Sequence, residues 1–182
     1  MDCVNIQYYK TPYGELVLGA YDNKLCLCDW RYRKLRTTID RRLMKGLKVA
    51  FVEKENKVLD KTKQQLDGYF LSERKQFDIP LLMIGSDFQQ KVWKELLNVS
   101  YGSTSSYLML AEKIGNKNAV RAVANANGAN AISIIIPCHR IVGSKGELVG
   151  YAGGLKTKEK LLQLENNLFS VPTSKMQYSI DF

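Results

Sequence analysis

The period of the apolar residues changes along this chain, and that change limits the folds open to it. Between residues 5 and 30 the pattern alternates. Ile6 and Tyr8 lead to a Thr11-Pro12-Tyr13-Gly14 turn, Leu16 and Leu18 lead to a second turn at Asp22-Asn23, and Leu25 and Leu27 follow. Alternation punctuated by turn residues predicts an antiparallel meander. Residues 57–71 place Leu59, Leu66, Tyr69 and Phe70 at roughly helical spacing, so an α+β N-terminal domain is expected. Near Gly85 the character shifts again. Ser86-x-x-Gln89 is a capping box that opens an amphipathic helix carrying Phe88, Val92, Leu96 and Val99. Beyond it, Tyr107, Leu110, Ala111 and Ile114 repeat the helical period, and after the Gly115-Asn116 break Val120, Val123, Ala124 and Asn127 repeat it again. Two short helices around a glycine-containing turn make a helix-turn-helix candidate. The expected division is residues 1–85 as a support domain and residues 86–182 as a mainly helical domain ending in a tail.

With 182 residues, 45% of them apolar, the chain is long enough to bury a core in one domain or two small ones. No apolar stretch approaches the roughly 20 residues of a spanning helix, and MDCVNIQYYK lacks the pattern of a signal peptide. An intracellular protein free of membranes is expected, cytoplasmic or, in a eukaryote, nuclear. Cys3, Cys26, Cys28 and Cys138 are unevenly spaced, which suggests free thiols and neither a disulfide framework nor a zinc cluster.

The 27 basic residues exceed the 18 acidic ones to give a net charge of +9, which points to an acidic partner such as nucleic acid. The excess lies in residues 31–48 and 117–160. The first run lacks interleaved small residues that would admit a phosphate backbone, so it is read as a solvated helix face. The second contains a helix of different character. With Val120, Val123 and Ala124 inward, its outer face presents Arg121, Ala122, Asn125, Ala126 and Ala129. A helix about 10 to 12 Å across can enter a minor groove about 6 Å wide only if it is stripped to small residues and widens the groove. Tight packing against a protein helix would permit the same composition.

The apolar run Ile132–Ile136 reads as a buried strand, and Pro137, lacking an N–H, ends its ladder and delivers Cys138 to a fixed rim. A free cysteine is ordinarily a small buried hydrophobe, but this one is followed by the chain's single histidine, His139. On an extended segment the two side chains diverge, so a bridging water and a carboxylate to orient the imidazole would be needed. Gly143, Gly146, Gly150, Gly153 and Gly154 surround Tyr151 in a loop whose backbone could approach a flat ligand closely. A basic amphipathic helix with Lys156, Lys158 and Lys160 follows.

The segment IPCHRIVGSKGELVGYAGGLKTKEKLLQLE, residues 136–165, closely resembles the active-site region of the O6-alkylguanine-DNA alkyltransferases. The likeness extends back through RAVANANGANAISIIIPCHR and FQQKVWKELLNVSYGSTSSY, and more loosely to YYKTPYGELVLGAYDNKL. The resemblance implies an N-terminal ribonuclease-H-like α/β roll and a C-terminal winged-helix-like domain with a helix-turn-helix. It implies a monomer that binds duplex DNA through the minor groove and flips out O6-alkylguanine, with O4-alkylthymine as a second substrate. Cys138 would accept the alkyl group irreversibly, once per molecule and without a cofactor.

The same resemblance makes His139 the water-linked base, Glu165 the carboxylate that orients it, and Asn130 the residue holding the preceding turn. Tyr107 would crowd the target phosphate and donate to guanine N3, and Arg121 would fill the gap left by the flipped base. The backbones of Cys138, Ile141 and Ala152 would read the base, with Tyr151 as a pocket wall and Lys158 nearby. Some members carry an N-terminal zinc site of Cys and His. This chain's single histidine is His139, so no metal is expected. A cysteine hydrolase would need to regenerate its thiol, and nothing here marks a second histidine for that. A non-catalytic lesion-binding or regulatory helix-turn-helix module could dispense with Cys138.

Overall fold

The alternating segment forms three strands. In the computed structural model, which describes residues 2–166, β1 (Val4–Thr11), β2 (Gly14–Tyr21) and β3 (Lys24–Trp30) pair antiparallel as the meander predicts. Asp22 and Asn23 both take left-handed conformations at the second turn, matching the twist of the strands they join. Helix α1 (Arg36–Leu47) then crosses to β4 (Phe51–Glu53), which lies parallel to β1 and completes the order β3-β2-β1-β4. Helix α2 (Lys57–Phe70) starts at an Asn56 cap whose side chain accepts from the Val58 amide at 2.8 Å. The short parallel strand β4 carried no alternation and was not legible in the sequence.

Strands β2 and β3 are buried on both faces. Leu16, Leu18 and Ala20 face the core shared with Leu59, Leu66 and Tyr69 of α2, while Val17 and Leu27 face Ile39 and Leu43 of α1. The outer edge of β3 is also covered. The Leu25 amide donates to Pro80, the Leu82 amide to Leu25, the Cys28 amide to Ala131, and the Ser133 amide to Cys28. A sheet edge closed by later segments of the chain leaves no open ladder for another strand, and it fastens residues 131–133 to β3.

The capping box forms as predicted, with the Ser86 side chain accepting from the Gln89 amide and the Gln89 side chain from the Ser86 amide. It opens α3 (Asp87–Leu96). Next come β5 (Ser105–Ser106), α4 (Tyr107–Lys113), a 3₁₀ turn at Lys117–Ala119 and α5 (Val120–Gly128). A second 3₁₀ turn at Cys138–Arg140 leads into β6 (Ile141–Val142), which pairs parallel with β5, and α6 (Leu155–Glu165) ends the described chain. No helix among the described residues is long and apolar enough to cross a membrane. The C-terminal tail from 167 lies outside the described residues.

Four expectations need correction. Ile132–Ile136 is buried, yet it forms turns after a single bridge from Ile132 to Cys28, with Ile134 at φ 72°. An apolar run reports burial and not extension, and here the Asn130 amide closes the segment into a loop. The run 31–48 is not simply a solvated face. Arg33 is only 8% exposed, and Arg33 and Arg36 both pair with the fully buried Asp29. Ala126 faces inward, because its carbonyl accepts from the Trp93 indole at 2.8 Å and α3 packs over it. Ala124, assigned inward, is only half-buried.

That indole bond holds α5 against α3. Trp93→Phe keeps most of the ring volume but removes the inter-helix donor to the Ala126 carbonyl, which retains only the Ala129 amide at 3.2 Å, so it should destabilise the fold by about 1 kcal/mol. Urea unfolding checks this as a lower midpoint at unchanged slope.

Candidate functional site

Asn130 builds the turn that carries Cys138. Its side-chain oxygen accepts from the Ile132 amide at 2.9 Å, and its Nδ2 donates to the Ile136 carbonyl at 2.9 Å and the Ile132 carbonyl at 3.3 Å. The same nitrogen lies 3.2 Å from Cys138 Sγ. One amide thus fixes both ends of the loop and the sulfur. The Cys138 residue is 3% exposed, and burial pushes its thiol pKa up. The Asn130 hydrogen bond counters this, Asp29 adds to it, and Arg33 and Lys158 oppose it. At neutral pH the resting sulfur is a protonated thiol.

His139 follows on the same 3₁₀ turn and is fully buried. Its Nε2 lies 2.8 Å from Glu165 Oε1. An ionised carboxylate can only accept, so Nε2 carries the proton and Nδ1 is the basic lone pair. Nδ1 is buried and has no hydrogen-bond partner among the described residues, so it does not bond directly to Cys138. The divergence of the two side chains therefore holds, although the backbone is a 3₁₀ turn and not extended.

Glu165 gathers four donor residues from three parts of the chain. Oε1 accepts from His139, from the Tyr69 hydroxyl at 2.8 Å and from Arg140 Nη2 at 2.9 Å; Oε2 accepts from Arg140 Nε at 2.8 Å and the Gly102 amide at 3.2 Å. Burial alone would raise its pKa, but the His139 and Arg140 contacts outweigh that and hold it well below the carboxylate range. For His139 the balance runs the other way. Burial lowers its pKa despite the Glu165 hydrogen bond and charge, so the ring is neutral at rest.

The glycine loop is fastened from two sides. Lys158, fully buried, donates to the carbonyls of Ile141 and Val149, each at 2.5 Å, and Gly150 at 3.3 Å. Burial lowers its pKa to about 8. It is a loop fastener and not part of a solvated basic face. From the sheet, the Trp30 indole donates to the Tyr151 hydroxyl at 3.0 Å. A Cβ on Gly153 would come 2.7 Å from that indole, so only glycine fits there. Tyr151 stands edge-on to His139 with ring centres 6.3 Å apart, and Ala152 beside it is half-buried. Tyr107 begins α4 beside the β5–β6 pair, and burial, reinforced by Cys138, raises its pKa to about 12.

Cys138, His139, Glu165, Asn130, Ile141, Tyr107, Tyr151 and Lys158 are thus brought around one centre. Arg121, Ala122 and Asn125 lie apart from it on the exposed side of α5. Several supporting residues escaped the sequence reading. Arg140 sits inside the recognised motif, whereas Tyr69, Trp30 and Asp29 come from distant segments and carried no signal.

Residues 4–83 match the family described as "6-O-methylguanine DNA methyltransferase, ribonuclease-like domain", and residues 87–167 match "6-O-methylguanine DNA methyltransferase, DNA binding domain". The methylated-DNA--protein-cysteine methyltransferase of Methanosarcina barkeri is 40% identical over 158 residues, spanning 87% of this chain and 94% of that protein. The Mycobacterium tuberculosis protein of the same name is 52% identical over 103 residues, and this stretch spans 57% of this chain and only 62% of the relative. The crystal structure of Mycobacterium tuberculosis OGT in complex with DNA superposes with a TM-score of 0.77 at 37% identity, covering 90% of this chain and 93% of that one.

The buried neutral imidazole has a measurable consequence. Between the lowered folded pKa of His139 and its ordinary 6.5, the unfolded chain binds the extra proton, so stability is lost as pH falls below about 6.5. The contribution of Glu165 persists to lower pH, since its folded pKa lies below the ordinary 4.5. Urea unfolding at pH 5, 6 and 7 should show this slope in the wild type and lose much of it in His139→Gln.

Proposed function

The chain belongs to the 6-O-methylguanine DNA methyltransferase family, and from that premise we propose that it repairs DNA by moving the alkyl group of an O6-alkylated guanine irreversibly onto Cys138. The observation that carries this reading is the buried Cys138 thiol, held by Asn130 beside a neutral His139 that Glu165 orients. His139 Nδ1 takes the thiol proton through a water, and the resulting thiolate attacks the alkyl carbon. The S–C bond forms as the C–O6 bond breaks. Tyr107, whose raised pKa keeps its phenol protonated, gives its proton to guanine N3 as the C–O6 bond breaks, and the proton held by His139 returns through solvent to the resulting phenolate, so that the thiol proton ends, net, on the departing base. The alkyl ether of O4-alkylthymine offers the same carbon to sulfur and is a second substrate.

Delivery needs a flipped base. The duplex hides O6 from a buried nucleophile, and extrusion costs a few kcal/mol, least for a badly paired lesion. Helix α5 enters the minor groove through Ala122 and Asn125, and Arg121 occupies the space the base vacates. Residues 86–182 form the DNA-binding and transfer domain, and residues 1–85 support it. The active species is a monomer without cofactor or metal. A thioether offers water no leaving group, so each molecule acts once.

Incubation with duplex DNA containing O6-methylguanine should add one methyl to the peptide carrying Cys138, and product should stop at one per protein. Repeated turnover in intact-mass and product assays would contradict this. Cys138→Ser should abolish transfer and keep duplex binding, because the hydroxyl ionises far less readily while the DNA-facing side is unchanged.

Arg121→Ala should slow duplex repair by about tenfold, or ~1.4 kcal/mol, within the few kcal/mol that extrusion costs. Reaction with free O6-methylguanine base, which has no stack to leave, should change little. Equal losses on both substrates would assign Arg121 to the pocket or the fold.

A further inference from the structure

Helix α5 ends in an unusual way. The carbonyls at its end, those of Gly128 and Ala129, accept from two arginines of the first half of the chain. Arg33 Nη2 donates to the Gly128 carbonyl at 2.6 Å, Arg42 Nη2 to the Ala129 carbonyl at 2.8 Å, and Arg33 Nη1 to the Asn130 carbonyl at 3.1 Å. Cations at a helix C-terminus satisfy its orphan carbonyls and its dipole. Arg33 does more, because its planar fork spans the helix end and the residue whose side chain meets the Cys138 sulfur.

Arg33 is itself held. Its Nη1 lies 2.8 Å from Asp29 Oδ2, and Asp29 is fully buried. The other Asp29 oxygen accepts from the Ser133 hydroxyl and the Trp30 amide, each at 3.0 Å. Asp29 therefore grips the active-site loop directly through Ser133 and again through Arg33. The Gly128 to Ser133 segment has little choice of position relative to β3.

Resting on the alkyl-transfer reading above, we propose that Arg33 is a positioning residue for the reaction. It sets the spacing between the end of the DNA-facing helix and the Asn130 turn, so that the thiol stands where α5 delivers the lesion. Besides the positive charge it brings toward the thiol, which Arg33→Lys would retain, its effect on chemistry is transmitted through Asn130, and no contact with substrate is involved.

Full-length wild type, Arg33→Ala, Arg33→Lys and Arg42→Ala separate this role from simple support of the fold. The readouts are transfer rates on free O6-methylguanine base and on duplex DNA, with thermal melting alongside. Arg33→Ala should lower the free-base rate by about tenfold, the scale expected when a reacting group is displaced by part of an ångström. The loss on duplex should be larger. Arg33→Lys keeps the charge beside Asp29 but cannot bridge both carbonyls, so it should recover stability and only part of the rate. Arg42→Ala loses one helix cap without touching Asn130 and should keep a free-base rate near wild type.

A wild-type free-base rate in Arg33→Lys, or an Arg42→Ala loss as large as that of Arg33→Ala, would overturn the proposal. Should Arg33→Ala not fold, a lowered rate in a stable Arg33→Lys still supports it. A wild type that transfers nothing to Cys138 would instead overturn the alkyl-transfer reading and this role with it.

Discussion

The carboxylate of Glu165 is the joint on which the candidate site depends. It draws a hydroxyl from α2, a backbone amide from the loop before β5, and both His139 and Arg140 from one 3₁₀ turn, onto the last turn of α6. A buried charge is tolerated only when it is paired and fully hydrogen-bonded. Each donor that satisfies Glu165 therefore has its own position fixed in return. The imidazole tautomer follows directly, because a carboxylate that accepts at Nε2 leaves Nδ1 as the basic nitrogen. Asn130 performs the corresponding task for the sulfur, and the two residues approach the Cys138 turn from separate directions.

The resting electrostatics are those of a neutral pair. Burial disfavours both thiolate and imidazolium, so the proton stays on sulfur until something in the site favours its transfer. Arg33 and Lys158 bring positive charge that favours the thiolate, and Asp29 opposes them. The balance is set largely by residues that touch no reacting atom. That explains why the first half of the chain, with Asp29, Trp30 and Arg33, matters to a site whose chemistry-bearing residues lie in the second.

Local rules recovered much of this architecture. The meander was legible because strand alternation and turn residues agree, and α3 because the Ser86–Gln89 box writes its start into the sequence. Pro-Cys-His-Arg with its glycine cluster marked the centre. Other features were hidden because burial and conformation are separate properties. Ile132–Ile136 advertises burial but turns, since one distant amide closes it. The basic run looked like a solvated face because a sequence does not show that Asp29 waits on β3 to receive Arg33 and Arg36. Ala126 looked outward on helical spacing alone, and the Trp93 indole that covers it comes from another helix.

The depth of the sulfur bears on what it ignores. Oxidants and small electrophiles attack exposed thiolates, and Cys138 is neither exposed nor ionised at rest. For a protein proposed to use its acceptor once, every encounter with peroxide or a stray electrophile is a chance to lose the molecule before it meets damaged DNA. Burial of the thiol makes inertness its default state, and under the proposed reaction its reactivity would be a property of the complex with the right base.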